Sequence, residues 1–208
     1  EVIVPCRNLR RRIKDKVGKV HICENFFGET YFSAEKSTQN LSYFSVTWNS
    51  NIMSSKGFFD VLSAVDSLVN AGYNIELLCY GRIIGDYEMS EKTVRQKLSK
   101  YKDFSWFSFL GAITHSQAVH LLHNADVVIL PSRYKSEMQP LSIIEAMCAS
   151  KCIIVSDRPS LRATVANYPA DFVPIKDVNA ITKCIKRLYN ERLFNPKLFS
   201  KKNSVQAS

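Results

Sequence analysis

After residue 40 a short apolar run gives way to a helical pattern six times over, and this alternation constrains the fold more than any other feature. The runs are "YFSVTWN" (43–49), "NIELLCYG" (74–81), "FSWFSFLG" (104–111), "DVVILPS" (126–132), "CIIVSD" (152–157) and "DFVPI" (171–175). Between them, residues 56–72 place apolar side chains at 58, 61, 62, 65, 68 and 69 and stop at Gly72, the mark of an amphipathic helix. Further helices are predicted over 90–101, 116–125, 140–150, 160–166 and 177–191. Strands as continuously apolar as "VVIL" suit a parallel sheet covered on both faces. The prediction is an α/β fold with a doubly wound parallel sheet.

The organisation outside this repeat is less regular. Residues 1–40 hold an apolar run, "EVIVPC", a basic helix candidate and a polar stretch; 41–192 carry the α/β domain; 193–208 form a basic, polar tail. With no initiator Met and no signal-peptide pattern, the chain reads as cut from a longer protein. No apolar run reaches 18 residues, so no membrane span is expected. The six cysteines form no Cys-x2-Cys pair, which argues against zinc and fits a reducing, cytoplasmic setting. His120 and His123 share a predicted helix with no third ligand nearby and read as an ordinary helix face. The net charge of +9 sits at the ends: residues 1–24 hold seven basic side chains against three acidic, and 183–202 hold seven against one. Such ends suit solvated helices or an anionic membrane surface. No nucleic-acid-binding motif accompanies them.

In the common strand order 3-2-1-4-5-6, the first and fourth strands are neighbours, and ligands bind beyond their carboxyl ends. Two loops then face one another: "NSNIMSSKG" with Lys56, and "SRYKSEMQP" with Glu137. Each leads into a helix whose N-terminal N–H groups favour phosphate. The helix from Pro140 to Ser150, with Pro in its first turn, is apolar on nearly every side yet contains Glu145. A buried carboxylate needs partners. A ribose diol would supply them, and a buried ion pair with a basic residue is the alternative. Equally, Lys56 alone reads as an exposed lysine and Glu137 alone as an exposed cap. Together they point to a ligand with a diphosphate, a ribose and further hydroxyls. No Gly-x-Gly-x-x-Gly or Walker loop is present.

The segment "ADVVILPSRYKSEMQPLSIIEAMCASKCIIVSD", with glutamates 137 and 145, resembles the signature region of retaining GT-B glycosyltransferases of family 4. "NSNIMSSKGFFDVLSAV", "LCYGRIIGD", "FLGAITHSQAVHLLHNADV" and "KVHICENFF" are similar to other segments of that family, over roughly residues 19–190. The resemblance implies the C-terminal, Rossmann-like donor domain of a two-domain enzyme, with residues 1–18 as the end of the other domain. It implies a UDP- or GDP-sugar as donor substrate, a glycan or lipid-linked acceptor, and no metal or other cofactor. Lys56 would bind the diphosphate and Glu145 the ribose. The backbone at Leu141 and Ser142 would touch the phosphates, and the backbone at Ile113 the base. Glu137 would contact the donor sugar as the catalytic candidate. Asn51 stands where the family often has arginine, Met138 and Ser150 where it has glycine, and "DRPSLRATV" lacks a common glutamate. Bacterial surface-polysaccharide assembly, with peripheral contact to the inner membrane, is the implied setting. The implied fragment binds donor and is inactive alone. The rival readings are a GT-B epimerase of nucleotide sugars, whose catalytic carboxylates and histidines have no clear match here, and a non-catalytic docking module of the same fold.

Overall fold

Val127, Val128, Ile129 and Leu130 are all buried, so this strand is covered on both of its faces. The computed structural model describes residues 1–5, 7–25 and 43–194. Its main sheet has six parallel strands: β3 (Phe44–Asn49), β4 (Ile75–Tyr80), β5 (Phe107–Phe109), β6 (Val127–Leu130), β7 (Cys152–Ser156) and β8 (Asp171–Val173). Their order is β5-β4-β3-β6-β7-β8, the doubly wound order expected from the alternation. Helices α2 (Phe58–Asn70), α3 (Glu91–Leu98), α4 (His115–Asn124), α5 (Leu141–Cys148), α6 (Pro159–Val165) and α7 (Val178–Phe194) make the crossovers and cover the sheet. Ahead of them, β1 (Val2–Val4), α1 (Arg7–Ile13) and β2 (Val20–Ile22) form a separate parallel pair joined by a helix. The expected polar stretch ahead of residue 41 and the tail beyond 194 lie outside the described residues.

The core lies where the patterning places it. Trp48 and Phe58 are fully buried and meet edge to face at 5.1 Å, locking β3 to the start of α2. Each such side chain contributes about 1.5–3 kcal/mol by leaving water. At the amino edge of the sheet, buried Asp126 accepts from the Ser45 N–H and from Arg192, which fastens α7 to β3 and β6. Among the described residues no helix is long and apolar enough to cross a membrane. Cys79 and Cys152, neither of them in a disulfide, are buried on β4 and β7.

Several boundaries differ from the sequence reading. Residues 20–22, expected to be irregular, extend because β1 offers them a parallel partner. The strand expected over 104–111 is only Phe107–Phe109, since Phe104 to Trp106 form an aromatic turn against Tyr101. Lys56 belongs to a 3-10 turn, Ser54–Lys56, and α2 starts after Gly57. Pro140 is the N-cap of α5, extended at φ −67° and ψ 122°, rather than a first-turn residue. Helix α5 ends at Cys148, with Ser150 left-handed at φ 53°.

Candidate functional site

The switch point falls between β3 and β6, and the loops beyond their carboxyl ends are pressed backbone to backbone. Gly57 sits at φ 85°, and a Cβ there would lie 2.5 Å from the Pro131 carbonyl oxygen. Only glycine permits that approach at that angle. The Arg133 N–H then donates to the Ser55 carbonyl at 2.8 Å. On the other flank Gly81, at φ 137°, would place a Cβ 2.2 Å from the Ser50 carbonyl oxygen, so the loop after β4 joins the same assembly.

Charged groups complete this junction. The Arg133 guanidinium donates to Asp60 on α2 at 2.7 Å and to both carboxylate oxygens of Glu88, at 2.9 and 2.7 Å. Its side chain is only 10% exposed, so these bonds are largely sheltered from water. Arg133's hydrogen bonds hold the Glu88 carboxyl below its ordinary range, whereas burial pushes Asp60 up despite the same guanidinium. Asp86 accepts from the N–H groups of Ser55, Glu88 and Met89; burial raises its carboxyl, but these bonds prevail and lower it. Sequence reading missed Arg133, Asp60, Asp86 and Glu88. No local pattern marks them, because the partners come from separate loops.

Lys56 and Glu137 meet at 3.2 Å, with side chains 14% and 8% exposed. This overturns the reading of either as a free surface residue. Lys56 Nζ also donates to Ser50 Oγ at 3.1 Å, and Ser132 Oγ donates to Glu137 at 3.1 Å. The depths of the two glutamates are reversed from expectation: Glu137 is buried and Glu145 only half-buried. The apolar neighbours of Glu145 turn to the sheet, while its own position on α5 looks toward the end of β3. There Asn49 Nδ2 donates to the Ser142 carbonyl at 3.0 Å and to Glu145 Oε2 at 3.3 Å. Asn49 was also missed; its signal was a polar residue closing an apolar strand at the switch point. No lysine or arginine pairs with Glu145 among the described residues, so the buried ion pair is not formed.

The start of α5 is sparsely capped. Pro140 offers no side-chain bond, and the first N–H groups, at Leu141 and Ser142, have no acceptor within the helix. Ser142 Oγ is buried with no hydrogen-bond partner among the described residues. Leu141 is 51% exposed. Asn51 braces its loop by accepting from the Arg82 N–H at 3.3 Å. Ile113 is half-buried in the loop beyond β5, on the same sheet edge, where the Gly81 N–H reaches the Gly111 carbonyl. Among the described residues, no three His, Cys, Asp or Glu side chains cluster closely enough to hold a metal. The ends of β3 and β6 therefore bring together a lysine, a sparsely capped helix N-terminus and two carboxylates, linked through Ser50 and Asn49: donors that match phosphate and acceptors that match hydroxyl groups.

Solved structures share this architecture. Sucrose-phosphate synthase from Thermosynechococcus elongatus is 20% identical with a TM-score of 0.76, over 97% of this chain and 51% of that one. Anabaena HepE, solved with UDP-glucose, is 15% identical with a TM-score of 0.74, over 97% and 56%. A mutant of S. aureus TarM, solved with fondaparinux, alpha-GlcNAc-glycerol and UDP, is 18% identical with a TM-score of 0.72, over 97% and 39%. The chain thus spans between about two fifths and three fifths of the length of these proteins. No protein of curated function matches the sequence significantly. The family model described as glycosyl transferases group 1 matches residues 34–203. With its six-stranded parallel sheet and its GT-B neighbours, the chain belongs to the group 1 glycosyltransferases.

Proposed function

We propose that the crevice binds a nucleoside diphosphate sugar and serves transfer of its hexose, with retention, to a glycan or lipid-linked acceptor. The observation that carries this reading is that Ser50 and Asn49, adjacent at the end of β3, bond Lys56 on one side and the first turn of α5 and Glu145 on the other. Lys56 and the N–H groups of Leu141 and Ser142 take the diphosphate. Their charge and dipoles also stabilise the negative charge that builds on the leaving group. Glu145 accepts from the ribose hydroxyls, a role that leaves Asn49 as its support from β3. Glu137, fixed by Lys56 and Ser132, accepts from hydroxyls of the donor sugar and orients its anomeric carbon. The base lies against the backbone near Ile113. Asn51 supplies no charge, so Lys56 carries the diphosphate with less help than an arginine there would give. Between UDP and GDP we favour UDP, since relatives of this fold have been solved with it.

The setting we propose is cytoplasmic, in polysaccharide assembly, with peripheral contact to an anionic membrane. The last turn of α7 exposes Leu193 and Phe194 on the helix that carries Lys183, Lys186 and Arg187. Since GT-B chemistry takes place between two domains, the chain alone binds donor without transferring it; transfer to any acceptor by these 208 residues would contradict that.

Calorimetric titration with UDP, GDP and their common sugar derivatives tests the reading, beside a Glu145→Ala variant. Losing a charge-assisted hydrogen bond costs about 1.5–3 kcal/mol, so affinity should fall roughly ten- to a hundredfold. A folded chain that binds none of them, or binds them equally well without Glu145, would show that the crevice is not a donor site.

A further inference from the structure

A second recess opens beside Glu137. It has a volume of about 390 Å³, and its walls include Arg11 from α1, Lys135 and Met138 from the loop before α5, and Arg158 before α6. Three cations therefore surround one carboxylate. That carboxylate is already neutralised by Lys56, which is not among the lining residues. Arg11 and Lys135 are exposed and form no ion pair among the described residues; Lys135 only leans over the Tyr87 ring at 5.4 Å. Arg158 uses Nη1 alone to hold the carbonyls of Tyr134 and Ser132. Its Nη2 and Nε have no partner among the described residues, and a guanidinium has five N–H donors to place.

From these charges we infer an anion subsite: the recess binds a phosphate or carboxylate carried by one of the sugar substrates. The inference rests on the donor-site reading in placing a sugar at Glu137. The recess is large enough for a sugar ring or a glycerol unit with its charged group. Cations on three separate elements, none of them in an ion pair among the described residues, favour a planar carboxylate or a tetrahedral phosphate over a neutral hydroxyl face. The charge can sit on the donor sugar, as in a uronic acid, or on the acceptor, as in a phosphodiester or sugar phosphate. Both present the same chemistry to Arg11, Lys135 and Arg158.

The test compares the chain with an Arg11→Gln/Lys135→Gln double variant at near-physiological salt, which screens diffuse surface attraction. Both positions are exposed, so thermal melting serves to verify the fold. Arg158 is left intact because it also braces the loop. One arm titrates UDP-glucose and UDP-glucuronate. The other titrates inorganic phosphate and glycerol 3-phosphate into chain saturated with UDP, and again without nucleotide. An anionic donor predicts about tenfold preference for UDP-glucuronate, collapsing in the double variant. An anionic acceptor predicts saturable binding of the phosphates, lost in the double variant. If neither preference appears, or if either survives the double substitution, the subsite is overturned. Should UDP itself fail to bind while the phosphates still depend on Arg11 and Lys135, the subsite stands and the donor reading falls.

Discussion

Two regions on the same edge of the sheet treat their polar groups in opposite ways. Around Arg133 the loops after β3, β4 and β6 satisfy one another: the guanidinium is shared by Asp60 and Glu88, and the Ser55 amide is taken by Asp86. At the start of α5, a few residues away, the cap makes no side-chain bond and Ser142 Oγ has no partner among the described residues. Among the described residues Glu145 accepts one hydrogen bond, at 3.3 Å. A buried polar group is normally satisfied. The first region is nearly complete within the fold, with Ser55 Oγ as its buried orphan among the described residues, and acts as frame; the second leaves more of its hydrogen-bonding capacity unused, as the proposed donor site requires. Lys56 and Glu137 lie on the border, paired with each other yet adjoining the crevice.

Substitutions should separate the two regions by their effect on stability. Arg133→Met leaves Asp60 and Glu88 without their cation, and breaking a sheltered pair costs about 3–5 kcal/mol. Denaturant unfolding should show this loss, and pairing it with Asp60→Asn and Glu88→Gln should recover much of it. Gly57→Ala combines a positive φ with a clash against Pro131, and should cost about 1–3 kcal/mol in the same measurement. Acid should act on the frame through Glu88 and Asp86. Their lowered carboxyls contribute stability above the ordinary carboxylate range, and that share is lost as pH falls through their folded values. Asp60, raised by burial, has the opposite sign, its share being lost as pH rises through its folded value. A melting profile between pH 7 and 3 should therefore flatten in Glu88→Gln. Glu145→Ala should move stability by less than about 1 kcal/mol, since only one long bond disappears, even where the proposed donor reading has it weaken nucleotide binding. Ser142→Ala should be the smallest, close to zero or slightly stabilising, because its hydroxyl is buried without a partner. A large loss from either α5 substitution would mean that this region, too, belongs to the frame.

The alternation of strands and helices was legible because each strand carries an apolar run and α2 has one apolar face, burying the expected residues 58, 61, 62, 65 and 68; the strand order followed from taking the common doubly wound arrangement. Lys56 and Glu137 could be placed in facing loops because strand order alone decides which loops meet at the switch point. Depth was not legible. Glu145 has apolar neighbours all round the helix, but its own side chain meets Asn49 at the end of β3 and is only half-buried. Glu137 has polar neighbours in sequence and is nonetheless buried, by Lys56 and Ser132 from other parts of the loops. The Arg133 junction depends on partners 45 and 73 positions away, and no periodicity records such pairs.

That junction also sets the time course of the crevice. The Arg133 amide is bonded to Ser55, the Ser55 amide to Asp86, and the Arg133 side chain to Asp60 and Glu88, so none of the three loops can swing out while the others stay. Their amide protons should then exchange with solvent at one common rate, as a single opening unit, rather than each at the pace of an independent loop.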